Sequence, residues 1–171
     1  MLLAAGASLD TKIGGGRTPL HKACKAGHVE MVKYLLDAGA KHTPFALILA
    51  VTAESESTVR VLLARGASPP TTSEDGSILC KAVTHGLNGV LEALVEAGAD
   101  VTAAGDQGLQ PLHLACVLDN VAAVKALVAA GAPCTVVSPD GKSPLQVCLT
   151  MEDVDALSLI HISEPTRRTP I

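Results

Sequence analysis

The sequence has very few aromatic residues. Tyr34 and Phe45 are the only two among 171 residues, and it contains no tryptophan. Such a chain has no platform on which the bases of single-stranded nucleic acid can stack. Its interior must be built from Leu, Val and Ala, side chains that suit closely spaced helices better than the strands of a sandwich or barrel. The hydrophobic fraction, 48%, is still high enough for a packed domain.

The sequence also lacks a basic excess and a long hydrophobic run. The formal net charge is −4 and no basic block is present, which argues against sequence-independent binding to nucleic acid. The longest apolar run, residues 44–51, is far too short to span a bilayer. The first residues have neither the basic start nor the apolar stretch of a signal peptide. We therefore expect neither a nucleic-acid partner nor a membrane partner.

Five cysteines are present, an odd number in a chain long enough to fold without disulfide bonds. This predicts reduced thiols and a cytoplasmic, or more broadly intracellular, protein. Helical periodicity predicts buried positions for Cys24, Cys116 and Cys148, and leaves Cys134 as the plausible exposed thiol.

The clearest positive feature is an internal repeat. The dipeptide Gly-Ala closes an apolar segment five times, beginning at positions 6, 39, 66, 98 and 131, with spacings of 33, 27, 32 and 33 residues. Residues 18–40 align without gaps to residues 110–132, residues 45–67 and 77–99 fall in the same frame, and a fifth copy opens at residue 143. A period of this length is typical of a solenoid, in which stacked units share one core.

Each element of the repeated unit has a physical reason. Thr18 is suited to cap a helix by accepting a hydrogen bond from a backbone N–H one turn later, and Pro19 suits the first helical position. Gly39 suits the end of a second helix, where a positive φ is often needed. Helical spacing places the apolar residues on one face of each helix: Leu20, Ala23 and Cys24, then Val32, Leu35 and Leu36.

The pattern Thr-Pro-Leu-His-x-Ala, Gly-His and Val-x-x-Leu-Leu-x-x-Gly-Ala at residues 18–40 resembles the ankyrin repeat. The resemblance implies an all-α solenoid of stacked antiparallel helix pairs with short β-hairpin or loop fingers. It divides the chain into the end of a truncated repeat (1–10), four repeats (11–40, 41–67, 68–99 and 100–132), and the first half of an interrupted repeat (133–156). The repeat at 41–67 is short and lacks most of its finger.

The shortened second repeat predicts a local gap in the array. The missing residues fall between Ala40 and Phe45, and Thr43-Pro44 is the candidate cap pair, which lengthens the helical segment that follows by two residues. We expect a gap in the concave face and a weak interface at this repeat. In the third repeat Cys80 replaces the usual His.

The two ends of the sequence do not fit the repeat. Residues 157–171 leave the repeat frame and resemble a translated sequencing-library adapter, so we expect a non-native tail without function. Met1 stands inside what reads as the last turn of a second helix. We therefore expect a fragment of a longer intracellular protein.

Two patterns suggest chemistry, but a structural role is favoured for both. His21, Cys24 and His28 have a spacing that suits zinc. The resemblance instead gives both histidines signature positions, and implies that His21 hydrogen-bonds to Thr18 or to the backbone. The glycines at 14–16 lack the Lys-Ser/Thr ending of a phosphate-binding loop. We predict no enzyme, no cofactor and no metal site, with a metal-bound array as an alternative.

The resemblance places partner contacts on the finger tips and on the exposed ends of the first helices. We expect a monomer that binds an unidentified protein or peptide on this concave face. Basic side chains at one end suit an acidic partner, and apolar ones at the other end form a patch. The predicted contact residues are Arg17, Lys25, Glu74, Asp75, His85, Asp106, Gln107, Leu109, Val117, Leu118, Asp140, Lys142 and Met151.

Two functions follow from this prediction. The first is a non-enzymatic protein–protein interaction module, or scaffold segment. The alternative is the targeting or regulatory arm of a larger enzyme, such as a kinase or a ubiquitin-ligase adaptor, whose catalytic domain lies outside this chain.

Overall fold

A computed structural model describes residues 9–12, 16–70, 77–105 and 107–149. Within these ranges nine helices follow one another as four helix–turn–helix units and a single further helix. The all-α prediction is confirmed for these residues. The helices are α1 (Pro19–Lys25), α2 (Val29–Asp37), α3 (Pro44–Thr52), α4 (Glu56–Ala64), α5 (Ile78–Thr84), α6 (Asn88–Glu96), α7 (Pro111–Val117), α8 (Val121–Ala129) and α9 (Pro144–Leu149).

The helices form two layers. In the first-helix layer, α1, α3, α5, α7 and α9 each contact the next one, and in the second-helix layer α2, α4, α6 and α8 do the same. Each first helix of the four complete units also contacts its own second helix. The apolar faces of both layers meet in one continuous core. Because each pair covers only some of its apolar surface by itself, neighbouring pairs complete the burial.

The start of α1 follows the predicted capping chemistry. The Thr18 hydroxyl accepts a hydrogen bond from the His21 backbone N–H at 3.4 Å, and the Thr18 N–H donates to His21 Nδ1 at 3.1 Å. Pro19 occupies the first helical position, where no backbone donor is required. The predicted roles of Thr18 and Pro19 are confirmed.

The second helices end in the predicted glycine turn. Gly39 has φ +91° just after α2, and the Ala40 N–H reaches back to the Leu35 carbonyl at 2.9 Å. A glycine adopts this left-handed conformation at no steric cost. The alanine that follows the glycine is buried in each of the four repeats: Ala40, Ala67, Ala99 and Ala132.

The short second repeat lacks most of its finger, and its first helix is largely buried. Only three residues separate Ala40 from Pro44, and α3 has nine residues where α1 has seven, as predicted. Thr43 is its N-cap residue. Six of the nine residues of α3 are buried, and the helix contacts α1, α4 and α5. The weak interface that the sequence predicts at this repeat stays a prediction, since the burial of α3 does not measure its stability.

The fingers that the structure describes are closed loops. The loop before α7 is closed by the Gly105 N–H donating to the Leu109 carbonyl at 2.9 Å, and the loop before α9 by the Ser138 N–H donating to the Lys142 carbonyl at 2.8 Å. The predicted tail at 157–171 and the glycines at 14 and 15 lie outside the described residues. Where the structure describes the chain, none of its helices has the length and apolar character needed to cross a bilayer.

Candidate partner-binding face

The exposed ends of the first helices form a row, here called the first-helix row. It consists of the last residue of each first helix and the residue that caps it: Lys25–Ala26, Thr52–Ala53, Thr84–His85 and Val117–Leu118. All eight residues are exposed except Ala53, which is half-buried. Because α1, α3, α5 and α7 contact one another in order, the four pairs follow the same order in space. The row changes from charged through hydroxylated to apolar.

The α1 end of the row is positively charged. Arg17 lies in the loop before α1, with its guanidinium carbon 5.9 Å from the centre of the Phe45 ring, a distance typical of a cation–π contact. Lys22 and Lys25 are both exposed on α1. Neither lysine forms an ion pair with a described residue. Three cationic groups therefore accompany one short helix, with both lysines exposed and Arg17 half-buried.

The middle of the row is nearly neutral. The Thr52 hydroxyl donates to the Ile48 carbonyl at 2.8 Å, and the Thr84 hydroxyl donates to the Cys80 carbonyl at 2.9 Å. His85 Nδ1 lies 3.0 Å from Glu54 Oε1, so this predicted contact residue also ties the third repeat to the second. These side chains are engaged within their own array.

The α7 end of the row is apolar. Val117 is 36% exposed and Leu118 is 47% exposed. Beside Leu118 an open depression of about 420 Å³ lies between two helix–helix turns. Its lining is mixed, with Val83, Leu118 and Val121 beside Thr84, Gly86, Asn88, Asp119 and Asn120. Leu109, the third predicted residue of this patch, is half-buried. An exposed apolar surface next to a depression can accept an apolar side chain.

The finger residues have mixed outcomes. Gln107, Asp140 and Lys142 are exposed. The Lys142 carbonyl lies 3.2 Å from His113 Nε2, so the last finger is fixed to α7 through its backbone. The remaining predicted contact residues lie outside the described residues of the chain: Glu74, Asp75, Asp106 and Met151.

His21 and Cys24 lie in surroundings typical of residues with a structural role. His21 Nε2 lies 2.7 Å from the Thr43 hydroxyl and links the first repeat to the second, while burial and then the charge of Arg17 lower the pKa of its imidazole. Burial raises the pKa of the Cys24 thiol to about 12, so this group stays protonated at neutral pH. His28 is exposed. The described residues contain no cluster of three His, Cys, Asp or Glu side chains that is arranged to hold a metal ion.

The other cysteines also serve the packing. Cys116 and Cys148 are buried, as predicted, and burial is the largest cause of the raised pKa of each thiol. Cys134 is half-buried. Cys80 takes the place of the usual His, and its Sγ donates to the Leu109 carbonyl at 3.5 Å. Cys80 therefore ties α5 to the next finger, as His113 does one repeat later.

Sequence reasoning missed three exposed apolar side chains. Met31 and Tyr34 on α2 are 52% and 53% exposed, and Val137 in the last finger is also exposed. Met31 and Tyr34 stand three residues apart and off the buried stripe of Val32 and Leu35. That spacing was the available signal for a second apolar patch, on the second-helix layer.

A family profile described as ankyrin repeats (3 copies) matches residues 1–73 and 79–168. The chain belongs to the ankyrin-repeat family. Its ankyrin repeats are similar to the crystal structure of the ankyrin repeat domain of Bcl-3, described as a unique member of the IkappaB protein family. The two chains are 27% identical with a TM-score of 0.80, and the similarity covers 94% of this chain and 74% of the other.

Curated relatives match the chain over segments of longer proteins. The E3 ubiquitin-protein ligase KEG of Arabidopsis thaliana is 30% identical over 117 residues, which is 63% of this chain and 7% of that protein. NF-kappa-B inhibitor delta of Mus musculus is 40% identical over 79 residues, 44% of this chain and 24% of that protein. L-asparaginase of Dirofilaria immitis is 34% identical over 107 residues, which is 58% of this chain and 18% of that protein. The chain spans less than a quarter of the length of each.

Proposed function

We propose that the chain is a non-enzymatic protein-binding module that holds its partner on the first-helix row and the neighbouring fingers. The observation that carries this proposal is the row itself. Four successive repeats present the same two positions at the surface, with Ala53 half-buried, and these positions differ in chemistry, while the buried positions of the same helices are apolar apart from His21 and His113. Membership of the ankyrin-repeat family, a fold that serves as a protein-interaction module, supports it.

The surroundings of the nucleophilic groups support a role without catalysis. A reactive cysteine needs a lowered pKa in an accessible position. Cys24, Cys116 and Cys148 are instead buried, with raised pKa values. His21 and His113 are buried and each hydrogen-bonds to an adjacent repeat or finger. These histidines stabilise the stack, which leaves the exposed row for recognition.

The proposal includes a cytoplasmic monomer made of the repeats defined above. The five cysteines form no disulfide bond with one another, as expected in a reducing compartment. The repeat boundaries at 40, 67, 99 and 132 each coincide with a buried alanine. The family match extends through residue 168, so the non-native origin of residues 157–171 stays a prediction.

The test is a photo-crosslinking comparison of the two layers. A photoreactive amino acid replaces Leu118 on the first-helix row or Met31 on the second-helix layer, two positions of similar exposure at 47% and 52%. In cells that express the chain, we expect one defined protein adduct from position 118 and none from position 31. The same adduct from both positions, or an adduct from position 31 alone, would contradict the proposed binding face.

A second candidate is the targeting arm of a larger enzyme. The specific observation is that two relatives are named as enzymes, a ubiquitin-protein ligase and an asparaginase, and that the chain spans 7% and 18% of them. A full-length transcript read across both ends of this sequence tests it. A catalytic domain in the same reading frame would support it, and a complete reading frame without one would contradict it.

A further inference from the structure

We propose that the partner presents an extended peptide with acidic side chains at the α1 end of the first-helix row and one large apolar side chain at the α7 end. This inference rests on the proposed function and names the partner's chemistry. The surface that carries it consists of Arg17, Lys22 and Lys25 at one end and Val117 and Leu118 at the other.

Positive charge is left uncompensated on α1, whereas three of the four cations of the second-helix layer are paired with carboxylates and Lys125 is the exception. Lys33 on α2 contacts Glu30 at 2.8 Å, and Arg60 on α4 contacts Glu56 at 2.8 Å. Arg65, which caps α4, contacts Asp37 at 2.6 Å. By contrast, Lys22 and Lys25 have no carboxylate partner among the described residues. The complementary ligand is therefore a carboxylate-rich segment.

Arg17 is the best-positioned group for this segment. Its guanidinium lies over the Phe45 ring, whose edge contact with His21 has ring centroids 5.4 Å apart. His21 in turn is fixed by Thr18 and Thr43. A guanidinium stacked on a ring that is itself held in place loses less side-chain freedom when it binds a carboxylate.

The α7 end of the row is suited to an apolar side chain instead of a carboxylate. Val117 and Leu118 offer the exposed apolar surface, and the depression beside Leu118 has a mixed lining of apolar and polar residues. The exposed Asp119 follows Leu118 directly and would repel an acidic residue placed there. Attraction at α1 and repulsion at α7 together fix which end of the peptide lies where.

Helix spacing sets the length of the peptide. Adjacent packed helices lie about 8–10 Å apart, so the three steps from α1 to α7 span about 24–30 Å. An extended chain advances about 3.3 Å per residue. The acidic residues and the apolar residue should therefore stand about eight residues apart in the partner.

Selection from a phage library of random 16-residue peptides on the immobilised full chain tests this inference. We expect enriched peptides in which an Asp/Glu cluster stands about eight residues from a Leu, Ile, Met or Phe. One such peptide, labelled with a fluorophore, is then measured by anisotropy. We expect Lys25→Glu and Leu118→Asp each to weaken its binding about tenfold or more.

The matched controls lie on the second-helix layer. Lys125→Glu reverses an exposed charge on α8, and Met31→Asp replaces an exposed apolar residue on α2. Both should leave peptide binding unchanged. Circular dichroism of each variant shows whether the fold is kept, and Lys25→Gln replaces Lys25→Glu if the charge reversal unfolds the chain.

The outcomes separate this inference from the proposed function. Enriched peptides without acidic residues, or no enrichment at all, would overturn the inference, while a crosslink from position 118 would still support the binding face. Peptides whose binding is lost in Met31→Asp and kept in Leu118→Asp would overturn both. Peptides that are acidic at one end and lose affinity in both row variants support both.

Discussion

The N-cap residue of each first helix determines how well the start of that helix is hydrogen-bonded. Thr18, Ser77 and Ser143 each accept a hydrogen bond from the backbone N–H three residues later. Gln110 occupies the same place before α7 and makes no side-chain capping bond. Its Oε1 and the Nδ1 of His113 are buried without a hydrogen-bond partner among the described residues. Unpaired buried polar atoms of this kind reduce stability.

Replacing Gln110 with Thr should therefore stabilise the protein. Gln110→Thr recreates the Thr-Pro-Leu-His segment of the first repeat, in which the Thr18 N–H and hydroxyl satisfy His21. We expect the free energy of unfolding to rise by about 1 kcal/mol, measured by urea denaturation. Gln110→Ala is the matched control, since it removes the amide without adding a cap. Equal stability of the two variants would contradict this explanation of the α7 cap.

Some residue roles could be predicted from the sequence and others could not. The cap at Thr18 and the glycine turn at Gly39 follow from local chemistry, because both bond within their own unit. The destination of the Thr43 hydroxyl does not, since this hydroxyl bonds to His21 of the previous repeat and leaves its own helix without a side-chain cap. Contacts between repeats depend on the stacking geometry, which a single unit does not specify.

Among the helices, close packing depends on one alanine position. Ala23, Ala50, Ala82 and Ala115 each lie on a first helix and are buried, three of them completely. A methyl group at this position lets neighbouring helices approach, and a larger side chain has no space to occupy. The alanine recurs at the equivalent position of all four repeats, so the sequence alone contains the signal for this contact.

Ala115→Leu should overpack the stack. The added carbons have no cavity at a fully buried position on α7, so we expect the free energy of unfolding to fall by about 1–3 kcal/mol. Ala122→Leu on α8 is the control, because Ala122 is exposed and both residues favour helix. Thermal unfolding of the two variants makes the comparison. An unchanged melting temperature for Ala115→Leu would mean that Ala115 does not face the neighbouring helices.

Element boundaries were predictable where proline or glycine marks them. Pro19, Pro44 and Pro111 each begin a first helix, and the two-residue extension of α3 follows from the position of Thr43-Pro44. The burial of α3 was not predictable from its shortened repeat. The deletion falls on the finger, and α3 keeps its contacts with α1 and α5, while the weaker unit that the deletion predicts stays a prediction.

At the scale of the whole molecule, the repeat period predicted the stacked architecture, and the family match and the described structure confirm it. The resemblance to the repeat family already placed partner contacts at the ends of the first helices, and the structure adds the exposure of these residues and their order in space. The eight residues of the first-helix row are scattered between positions 25 and 118, and their order in space depends on which helices are neighbours. The apolar patch on α2 was missed for a related reason: Met31 and Tyr34 look like core residues until the buried stripe beside them is known.

The central claim is that this array recognises a protein through its first-helix row. The most direct measurement is the change in backbone amide chemical shifts of the isotope-labelled chain when a selected peptide is added. We predict that the largest changes follow the row, at Lys25, Thr52, Thr84 and Val117–Leu118, with little change on α2, α4, α6 and α8. Changes concentrated on the second-helix layer around Met31 and Tyr34 would contradict the claim and place the binding face on the opposite side of the stack.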